Sequence, residues 1–198
     1  MEFVSYTTKM RELLMLIELE TNRNITQYEL SKVSNIVSSM VNNYIKRFVS
    51  NGYIEKSGNN RNTQYLLTAK GKEYKNYLLV SYLSELMENI NYSEGYLRQT
   101  LINIIGEKEC KLLLYGAGET GKVCANIIKG INSTKIVAYV VDDIQKVGGV
   151  LEGYPILGIM DVLNMNYDKI LITTFQNVEV IKEKIKISVK DAVILTLG

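Results

Sequence analysis

The stretch Lys111–Gly121, which reads KLLLYGAGETG, determines the fold of the C-terminal half of the chain. Its first part is an apolar run of the kind found in buried parallel strands, and its second part has the spacing G-x-G-x-x-G. A helical segment follows from about Lys122 to Lys129, and a second apolar run, Ile136–Val141, ends at Asp142. The order of strand, glycine turn, helix and strand predicts an α/β fold over residues 110–198.

Each glycine of this turn has a predicted role. Gly116 makes the tight turn, Gly118 lets the backbone approach a diphosphate, and Gly121 lets the helix pack closely on the strand. Amides at the start of the helix then face the phosphates, and Asp142 can accept hydrogen bonds from ribose hydroxyls, which favours NAD over a 2′-phosphorylated cofactor. The predicted nucleotide-binding residues are Gly116, Gly118, Glu119, Thr120, Gly121, Asp142 and Asp143. The alternative is a domain that keeps the turn for packing and binds nothing.

The rest of the C-terminal half continues the alternation of strands and helices. We expect a short helix near Met160–Asn164, a strand at Ile170–Thr174, a helix at Val178–Ile187 and a strand at Ala192–Leu197. The pattern predicts a Rossmann-like parallel sheet of about five strands.

The N-terminal residues alternate short helices and end in a hairpin. Apolar residues at helical spacing predict a helix over Lys9–Glu20, and Thr26–Glu29 is a capping box that begins a second helix. A third helix is expected over Ser38–Ser50, followed by strands at Tyr53–Lys56 and Thr63–Leu67. This is the order of a winged helix-turn-helix, an α+β fold whose third helix fits the major groove of DNA.

Basic charge is concentrated in this predicted DNA-binding domain. Residues 32–75 contain eight Lys or Arg against two Glu, although the whole chain has a net charge of only +2. Neutralisation of DNA phosphates requires such a local concentration of basic charge. Asn and Ser side chains can bind base edges or phosphates. The predicted DNA-contacting residues are Ser38, Ser39, Asn42, Asn43, Lys46, Arg47, Asn60 and Arg61. The alternative is a solvated basic face.

Apolar residues at helical spacing continue through residues 72–105. They can pack on their own domain, but a two-fold operator requires a two-fold protein, so we expect a dimer helix. Gly and polar residues at Asn91–Gly95 and at Gly106–Glu109 interrupt the pattern. We therefore expect three parts: a winged-helix domain with its dimer helix over 1–92, a helical linker over 93–109, and a nucleotide-binding domain over 110–198.

The N-terminal half resembles winged-helix transcription regulators of the MarR-like kind over roughly residues 9–90. The segments that carry the resemblance are Gln27–Lys32, Val41–Phe48, Asn51–Ile54 and Tyr65–Gly71. Two residues depart from the pattern: Ser34 stands where an apolar residue is usual, and Val37 where a capping hydroxyl is common. The resemblance implies a regulator that binds double-stranded DNA.

The C-terminal half resembles the nucleotide-binding domain of the redox-sensing repressor Rex and the N-terminal domain of CapD-type polysaccharide-biosynthesis proteins. The resemblance lies in the glycine turn, Val141–Asp143, Lys146–Gly148 and Gly153–Gly158. A winged helix joined to an NAD-binding domain is the Rex architecture, and Rex-like proteins release DNA when NADH replaces NAD. The resemblance implies a regulator that senses NAD(H), or one that controls surface-polysaccharide genes and senses a nucleotide-sugar.

Composition narrows the function classes. The chain has no histidine, which is the commonest general base and metal ligand, and its two cysteines, Cys110 and Cys124, cannot form a metal site alone. A dehydrogenase normally needs a further region for its substrate and a proton donor. We therefore expect no enzyme, no catalytic residues and no metal. A pure interaction module is the third class that the sequence leaves open.

Signals for export or membrane insertion are not apparent. The N-terminus lacks a basic region followed by an apolar run, and no apolar stretch is long enough to span a bilayer. We expect a cytoplasmic protein without membrane contact. Its expected partners are double-stranded DNA, a small nucleotide ligand and a second copy of the chain.

Overall fold

The structure is a computed structural model that describes residues 6–58, 63–163, 165–189 and 192–198. The chain forms two compact units, Met1–Asn89 and Ile90–Gly198.

The first unit contains the predicted helices and hairpin. Its elements in chain order are α1 (Thr8–Thr21), α2 (Gln27–Ser34), α3 (Ser38–Ser50), β1 (Ile54–Ser57), β2 (Gln64–Leu67) and the first part of α4 (Ala69–Ile105). The strands β1 and β2 pair antiparallel, with Ile54 opposite Leu67. The order is that of a winged helix, as the sequence predicts.

Local hydrogen bonds explain where the short helices begin and end. The Thr26 hydroxyl accepts from the Glu29 amide at 3.2 Å, and the Glu29 carboxylate accepts from the Thr26 amide at 2.8 Å. These bonds confirm the capping box, and hydrogen bonds from the Thr26 backbone and side chain lower the pKa of Glu29. Asn35 closes α2 with φ at +51°, in the left-handed region that Asn tolerates.

The two residues that depart from the winged-helix pattern are accommodated without disturbing the helices. Ser34 is buried, and its hydroxyl donates to the Leu30 carbonyl at 2.5 Å, so the polar group has a partner inside the core. Val37 occupies the N-cap of α3 without a side-chain hydrogen bond, and the helix still begins at Ser38.

The core of the first unit lies among the three helices, the hairpin and the start of α4. Leu16 of α1, Leu30 of α2 and Phe48 of α3 are fully buried in it. The start of α4 packs tightly against the hairpin, because a Cβ on Gly71 would lie 2.0 Å from the Tyr53 carbonyl oxygen. A side chain at position 71 would therefore separate α4 from this core.

The second unit is a six-stranded sheet with helices on both faces. Besides the end of α4, its elements are β3 (Cys110–Tyr115), α5 (Glu119–Ile128), β4 (Thr134–Val141), β5 (Val150–Leu151), β6 (Tyr154–Gly158), β7 (Lys169–Ile172), α6 (Val178–Ser188) and β8 (Val193–Thr196). The strand order is β5-β6-β4-β3-β7-β8, and the last five are mutually parallel. The helix α5 and the end of α4 cover one face, whereas α6 covers the other.

The prediction of a purely parallel sheet is wrong in one respect, since β5 pairs antiparallel with β6 and the sheet is mixed. Glu152 and Gly153 connect these strands, with φ at +51° and +85°. Positive φ at both central residues is typical of a tight hairpin turn, but Glu is an unusual first residue in it, so the local sequence does not reveal the hairpin. The predicted short helix near Met160 is also absent, because residues 159–163 form turns.

The helix α4 is continuous where the sequence suggests an interruption. It passes through Asn91–Gly95 without a break. A single glycine costs a helix only about 1 kcal/mol, and nothing lies within 4 Å of a Cβ built on Gly95. The helix ends at the second predicted position, where Gly106 has φ at +88° and its amide donates to the Ile102 carbonyl at 2.8 Å.

Candidate nucleic-acid interface and nucleotide site

The outer face of α3 carries the residues predicted to contact DNA. Val41, Ile45 and Phe48 point into the core, and the opposite side of the helix is polar. The exposed residues on that side are Ser38, Ser39, Asn42, Asn43, Lys46 and Arg47. Within the described parts of the chain, Lys46 has no ion-pair partner, so its ammonium group is available to a phosphate.

Arg47 has a structural partner that the sequence does not indicate. Its guanidinium donates from Nη2 to the carboxylate of Glu12, and it lies over the ring of Tyr44 at 4.6 Å from the ring centre. The other Glu12 oxygen accepts from the Tyr74 hydroxyl at 2.6 Å. Glu12 is buried, with 9% of its side chain exposed, so these bonds join α1, α3 and α4 inside the first unit.

Tyr74 is held firmly in this cluster. Its ring stacks on that of Tyr53, with centroids 4.3 Å apart. Burial and the hydrogen bond to Glu12 raise the pKa of Tyr74 well above its usual range. The hydroxyl therefore remains a donor to Glu12 at any physiological pH.

The basic charge around α3 is partly neutralised. Lys75 pairs with Glu20, and Lys32 and Lys70 lie over the rings of Tyr28 and Tyr53. Asn60 and Arg61, the hairpin residues predicted to contact DNA, fall outside the described residues.

A groove between α1 and α4 was not predicted. It encloses about 320 Å³ and is lined by Thr7, Lys9, Met10, Leu13, Tyr77, Leu78, Ser81, Tyr82, Glu85, Leu86 and Asn89. Beside it, α4 exposes the apolar side chains of Val80, Leu83, Met87 and Ile90. Their spacing of three, four and three residues is the pattern of a coiled-coil seam.

In the second unit, the glycine turn has the geometry that its motif predicts. Gly116 has φ at +121°, a conformation that requires glycine. A Cβ on Gly121 would lie 2.1 Å from the Gly116 carbonyl oxygen, so α5 packs directly on the turn. By contrast, a Cβ on Gly118 would meet nothing within 4 Å, and this residue is exposed. The turn is therefore open at the position where the backbone is predicted to approach a diphosphate.

The start of α5 is open as well. Gly118 is its N-cap and supplies no side-chain hydrogen bond, so the first amides of the helix keep their capacity to bind an anion. Glu119 lies in the first turn and accepts from Lys122 Nζ at 2.7 Å.

Thr173 supports the turn from the neighbouring strand. Its hydroxyl lies 3.1 Å from the Tyr115 carbonyl oxygen and 3.0 Å from that of Gly116. The side chain is buried, and it follows β7, which pairs with β3. Sequence reasoning missed this residue. The only signal was its place at the end of a predicted strand.

Asp142 lies at the same edge of the sheet, but its carboxylate already has two donors. Oδ1 accepts from the Tyr115 hydroxyl at 2.7 Å and from Lys184 Nζ of α6. Burial alone would raise the pKa of Asp142, but the bonds from Lys184 and Tyr115 lower it overall. The sequence predicted Asp142 as an acceptor for ribose and gave no indication of Lys184.

Asp143 is exposed and shapes the loop after β4. Its Oδ1 accepts from the Gln145 amide at 3.0 Å, and its Oδ2 lies 3.9 Å from Lys146 Nζ. Glu119, Thr120, Asp142 and Asp143 therefore all lie at the carboxyl edge of the sheet, where ligands of open α/β sheets bind.

Metal and membrane features can be stated for the described residues. They contain no cluster of three or more His, Cys, Asp or Glu side chains that could hold a metal ion. Cys110 and Cys124 are buried free thiols, and burial raises the pKa of Cys124 to about 11. In the same residues, every helix is too short or too polar to cross a bilayer.

Several solved structures are similar to parts of the chain. A MarR family protein of Mycobacterium tuberculosis in complex with p-aminosalicylic acid is 13% identical, with a TM-score of 0.34, over 40% of this chain and 64% of that protein. The DNA-binding protein Sso10a-2 of Sulfolobus solfataricus is 16% identical, with a TM-score of 0.37, over 48% of this chain and 96% of that protein. UDP-D-quinovosamine 4-dehydrogenase of Vibrio fischeri is 23% identical, with a TM-score of 0.36, over 45% of this chain and 77% of that protein.

Family comparisons assign the two units separately. No curated protein matches the chain. Residues 108–195 match the family model described as C2185-like, N-terminal. Residues 9–63 match the model of the MarR family, and this match covers α1 to α3 and β1. The N-terminal unit is therefore similar to the winged-helix domains of the MarR family over residues 9–63.

Proposed function

We propose that the chain is a transcription regulator whose winged helix binds double-stranded DNA and whose C-terminal unit binds a dinucleotide at the glycine turn, most simply NAD(H). The observation that carries the proposal is the joining of a MarR-like domain to an open G-x-G-x-x-G turn in one chain. The two units share α4, which runs from Ala69 to Ile105.

The DNA-binding part is supported by the outward face of α3. Asn42 and Asn43 are exposed beside Lys46, so one helix face offers amide groups for base edges and a cation for phosphate. In this arrangement α3 enters the major groove. Arg47 holds α3 in place through Glu12 and can reach phosphate with the exposed part of its guanidinium, since 46% of its side chain is accessible.

The nucleotide-binding part is supported by sheet topology as well as by the turn. Numbered along the chain, the parallel strands are arranged 3-2-1-4-5, which is the order of Rossmann-like folds. The glycine turn follows the first of them, β3, which lies between β4 and β7 at the point where the strand order reverses. The amides of α5 would hold the diphosphate, and the carboxylates after β4 would lie beside the adenosine ribose.

A homodimer is part of the proposal. The exposed residues Val80, Leu83 and Met87 form a seam on α4 that a second copy of the same helix would cover. Two copies would place two recognition helices on a two-fold operator.

Ligand binding is the direct test of the proposal. A panel of NAD⁺, NADH, NADP⁺, ATP and a UDP-sugar is titrated while thermal unfolding is followed, because a ligand that binds only the folded state raises the melting temperature. We expect NAD(H) to raise it in the wild type and not in Gly118→Val, whose side chain would fill the diphosphate space. A shift with the UDP-sugar alone would replace NAD(H) by a nucleotide-sugar. The absence of any shift, with DNA binding intact, would indicate a ligand-free interaction module.

DNA binding is tested with a library of random duplexes. We expect the full chain to enrich a two-fold sequence. If it selects no sequence and binds no duplex at low salt, the regulator assignment is wrong.

A further inference from the structure

Two consecutive acids follow β4, and each has a lysine beside it. Asp142 accepts from Lys184 of α6, and Asp143 lies 3.9 Å from Lys146. The four side chains together carry no net charge. In the sequence alone this position looks acidic, with two carboxylates in a row.

The charge at this position decides which ribose a dinucleotide site accepts. A lone carboxylate accepts hydrogen bonds from the 2′- and 3′-hydroxyls and repels a 2′-phosphate, whereas a nearby cation accommodates the phosphate. Lys184 places such a cation in direct contact with the acid. Its ammonium group offers three donors at the end of a flexible stem.

Lys184 is suited to change partners. Of its side chain, 43% is exposed, so the ammonium group can turn away from Asp142 toward a bound phosphate. Asp142 would keep the hydrogen bond from the buried Tyr115 at 2.7 Å, and it would not be left without a donor. After this exchange Asp142 keeps its negative charge and one hydrogen-bond donor.

The other lysines of α6 have different partners. Lys182 pairs with Glu179, and Lys186 pairs with Glu183, each at 2.7 Å and three residues apart in the helix. These two lysines neutralise acids of their own helix, whereas Lys184 contacts the residue that follows β4.

We propose that the nucleotide site accepts a 2′-phosphorylated dinucleotide such as NADP(H) about as well as NAD(H), with Lys184 binding the 2′-phosphate. This inference rests on the proposed function, since it concerns the ligand of the same glycine turn. It replaces the expectation, drawn from Asp142 alone, that the site prefers NAD.

Isothermal titration of the full chain with four probes tests the inference. The probes are NAD⁺, NADP⁺, 5′-AMP and adenosine 2′,5′-bisphosphate, of which the last two differ only in the 2′-phosphate. For the wild type we expect the affinities for NAD⁺ and NADP⁺ to lie within about tenfold of each other. The same should hold for 5′-AMP and adenosine 2′,5′-bisphosphate. Lys184→Met should weaken the affinity for adenosine 2′,5′-bisphosphate by about tenfold or more, as expected for loss of a charge-assisted hydrogen bond. It should change the affinity for 5′-AMP by less than about threefold.

Lys186→Met is the matched control, because it removes an equal charge from the same helix without touching Asp142. It should leave all four affinities unchanged. The inference is overturned if the wild type prefers NAD⁺ to NADP⁺ by more than about tenfold, or if Lys184→Met weakens both members of a pair alike. In either case the proposed function stands. If none of the four probes binds, the site does not hold an adenine dinucleotide, and both the NAD(H) assignment and this inference are wrong.

Discussion

At the scale of single residues, the neighbours Lys46 and Arg47 on α3 differ in what they bind within the protein. Arg47 donates to the buried Glu12, whereas Lys46 is exposed without an ion-pair partner among the described residues. Both would be expected to contact phosphate from sequence alone. Their different surroundings predict that Arg47 also positions α3, whereas the proposed role of Lys46 is contact with DNA alone.

Substitution of each residue should separate these roles. Lys46→Ala should change the free energy of unfolding by less than about 0.5 kcal/mol, and it should lower the salt slope of duplex binding by about one. Arg47→Ala should lower the free energy of unfolding by about 2 kcal/mol, because Glu12 then keeps only the bond from Tyr74. Urea unfolding and duplex titrations over a range of salt concentrations measure both quantities.

The double variant Glu12→Gln/Arg47→Ala is the control for this pair, since it removes the buried charge as well. It should recover much of the lost stability. If Arg47→Ala is as stable as the wild type, Glu12 does not depend on Arg47.

Two glycines of the turn provide a second contrast at this scale. Gly121→Ala should lower the free energy of unfolding by about 3 kcal/mol, because its Cβ would lie 2.1 Å from the Gly116 carbonyl oxygen and neither backbone can yield cheaply. Gly118→Ala should cost less than about 1 kcal/mol, because its backbone is extended and its Cβ meets nothing within 4 Å. Denaturant unfolding of the two variants checks the difference. Equal stabilities would contradict the packing role assigned to Gly121.

At the scale of elements, the predictable parts are those built from short-range patterns. The Thr26 capping box and the glycine turn both follow from residues within one turn of each other, and both appear as expected. The hairpin at Glu152 was missed because its first turn residue is atypical. The glycine at position 95 predicts an interruption, but the helix around it is long enough to tolerate one glycine.

The unpredicted parts of the two sites depend on contacts between residues far apart in the chain. Arg47 and Glu12 are 35 residues apart, and Lys184 and Asp142 are 42 apart. Thr173 lies 57 residues from the glycine whose carbonyl it contacts. No local spacing encodes such pairs, because they depend on which strands and helices become neighbours.

The exposed seam of α4 gives a prediction for this element. Leu83→Glu/Met87→Glu should convert the proposed dimer into a monomer, because it buries two carboxylates against the same side chains of a second copy. Glu88→Gln, at an exposed position on the same helix, should leave the dimer intact. Light scattering after size-exclusion chromatography measures the mass. A wild-type monomer at micromolar concentration would rule out this seam as the dimer contact.

At the scale of the whole molecule, both units contain buried or partly buried groups that ionise only at high pH. Burial raises the pKa of Cys124 to about 11 and that of Tyr139 to about 12, and it raises the pKa of Tyr74 and Tyr115 as well. Between the ordinary pKa of each group and its raised value, the unfolded chain loses a proton that the folded chain keeps. The free energy of unfolding should therefore fall as pH rises from about 8.5 toward 12.

Urea unfolding at pH 8, 9.5 and 10.5 tests this alkaline sensitivity. The urea midpoint of the wild type should decrease at each step. The midpoint of Tyr139→Phe should decrease less between pH 9.5 and 10.5, because this variant has one titrating group fewer. A midpoint that stays constant over this range would show that these groups are accessible to solvent in the folded protein.

If the two proposed sites are coupled, the helix α4, which belongs to both units, would carry the coupling. In the second unit, α5 begins at the glycine turn and ends near Arg98 of α4, whose Nη1 donates to the Ile127 carbonyl at 3.3 Å. In the first unit, Tyr74 of the same helix donates to Glu12, which also binds Arg47 of α3. In the second unit α5 therefore connects the glycine turn to α4, and in the first unit α1 connects α3 to α4.

Linkage makes this communication measurable. A ligand that changes DNA affinity tenfold must have its own affinity changed tenfold by DNA, which is about 1.4 kcal/mol of coupling. In the wild type we expect NADH to shift the affinity for the selected duplex by about that factor. Arg98→Met should reduce the shift to less than about threefold while NADH and the duplex each still bind, because it removes the hydrogen bond from α4 to the end of α5 and leaves both sites intact. If NADH binds the wild type and leaves DNA affinity unchanged, the winged helix and the nucleotide site act independently, and α4 serves as a connection without coupling them.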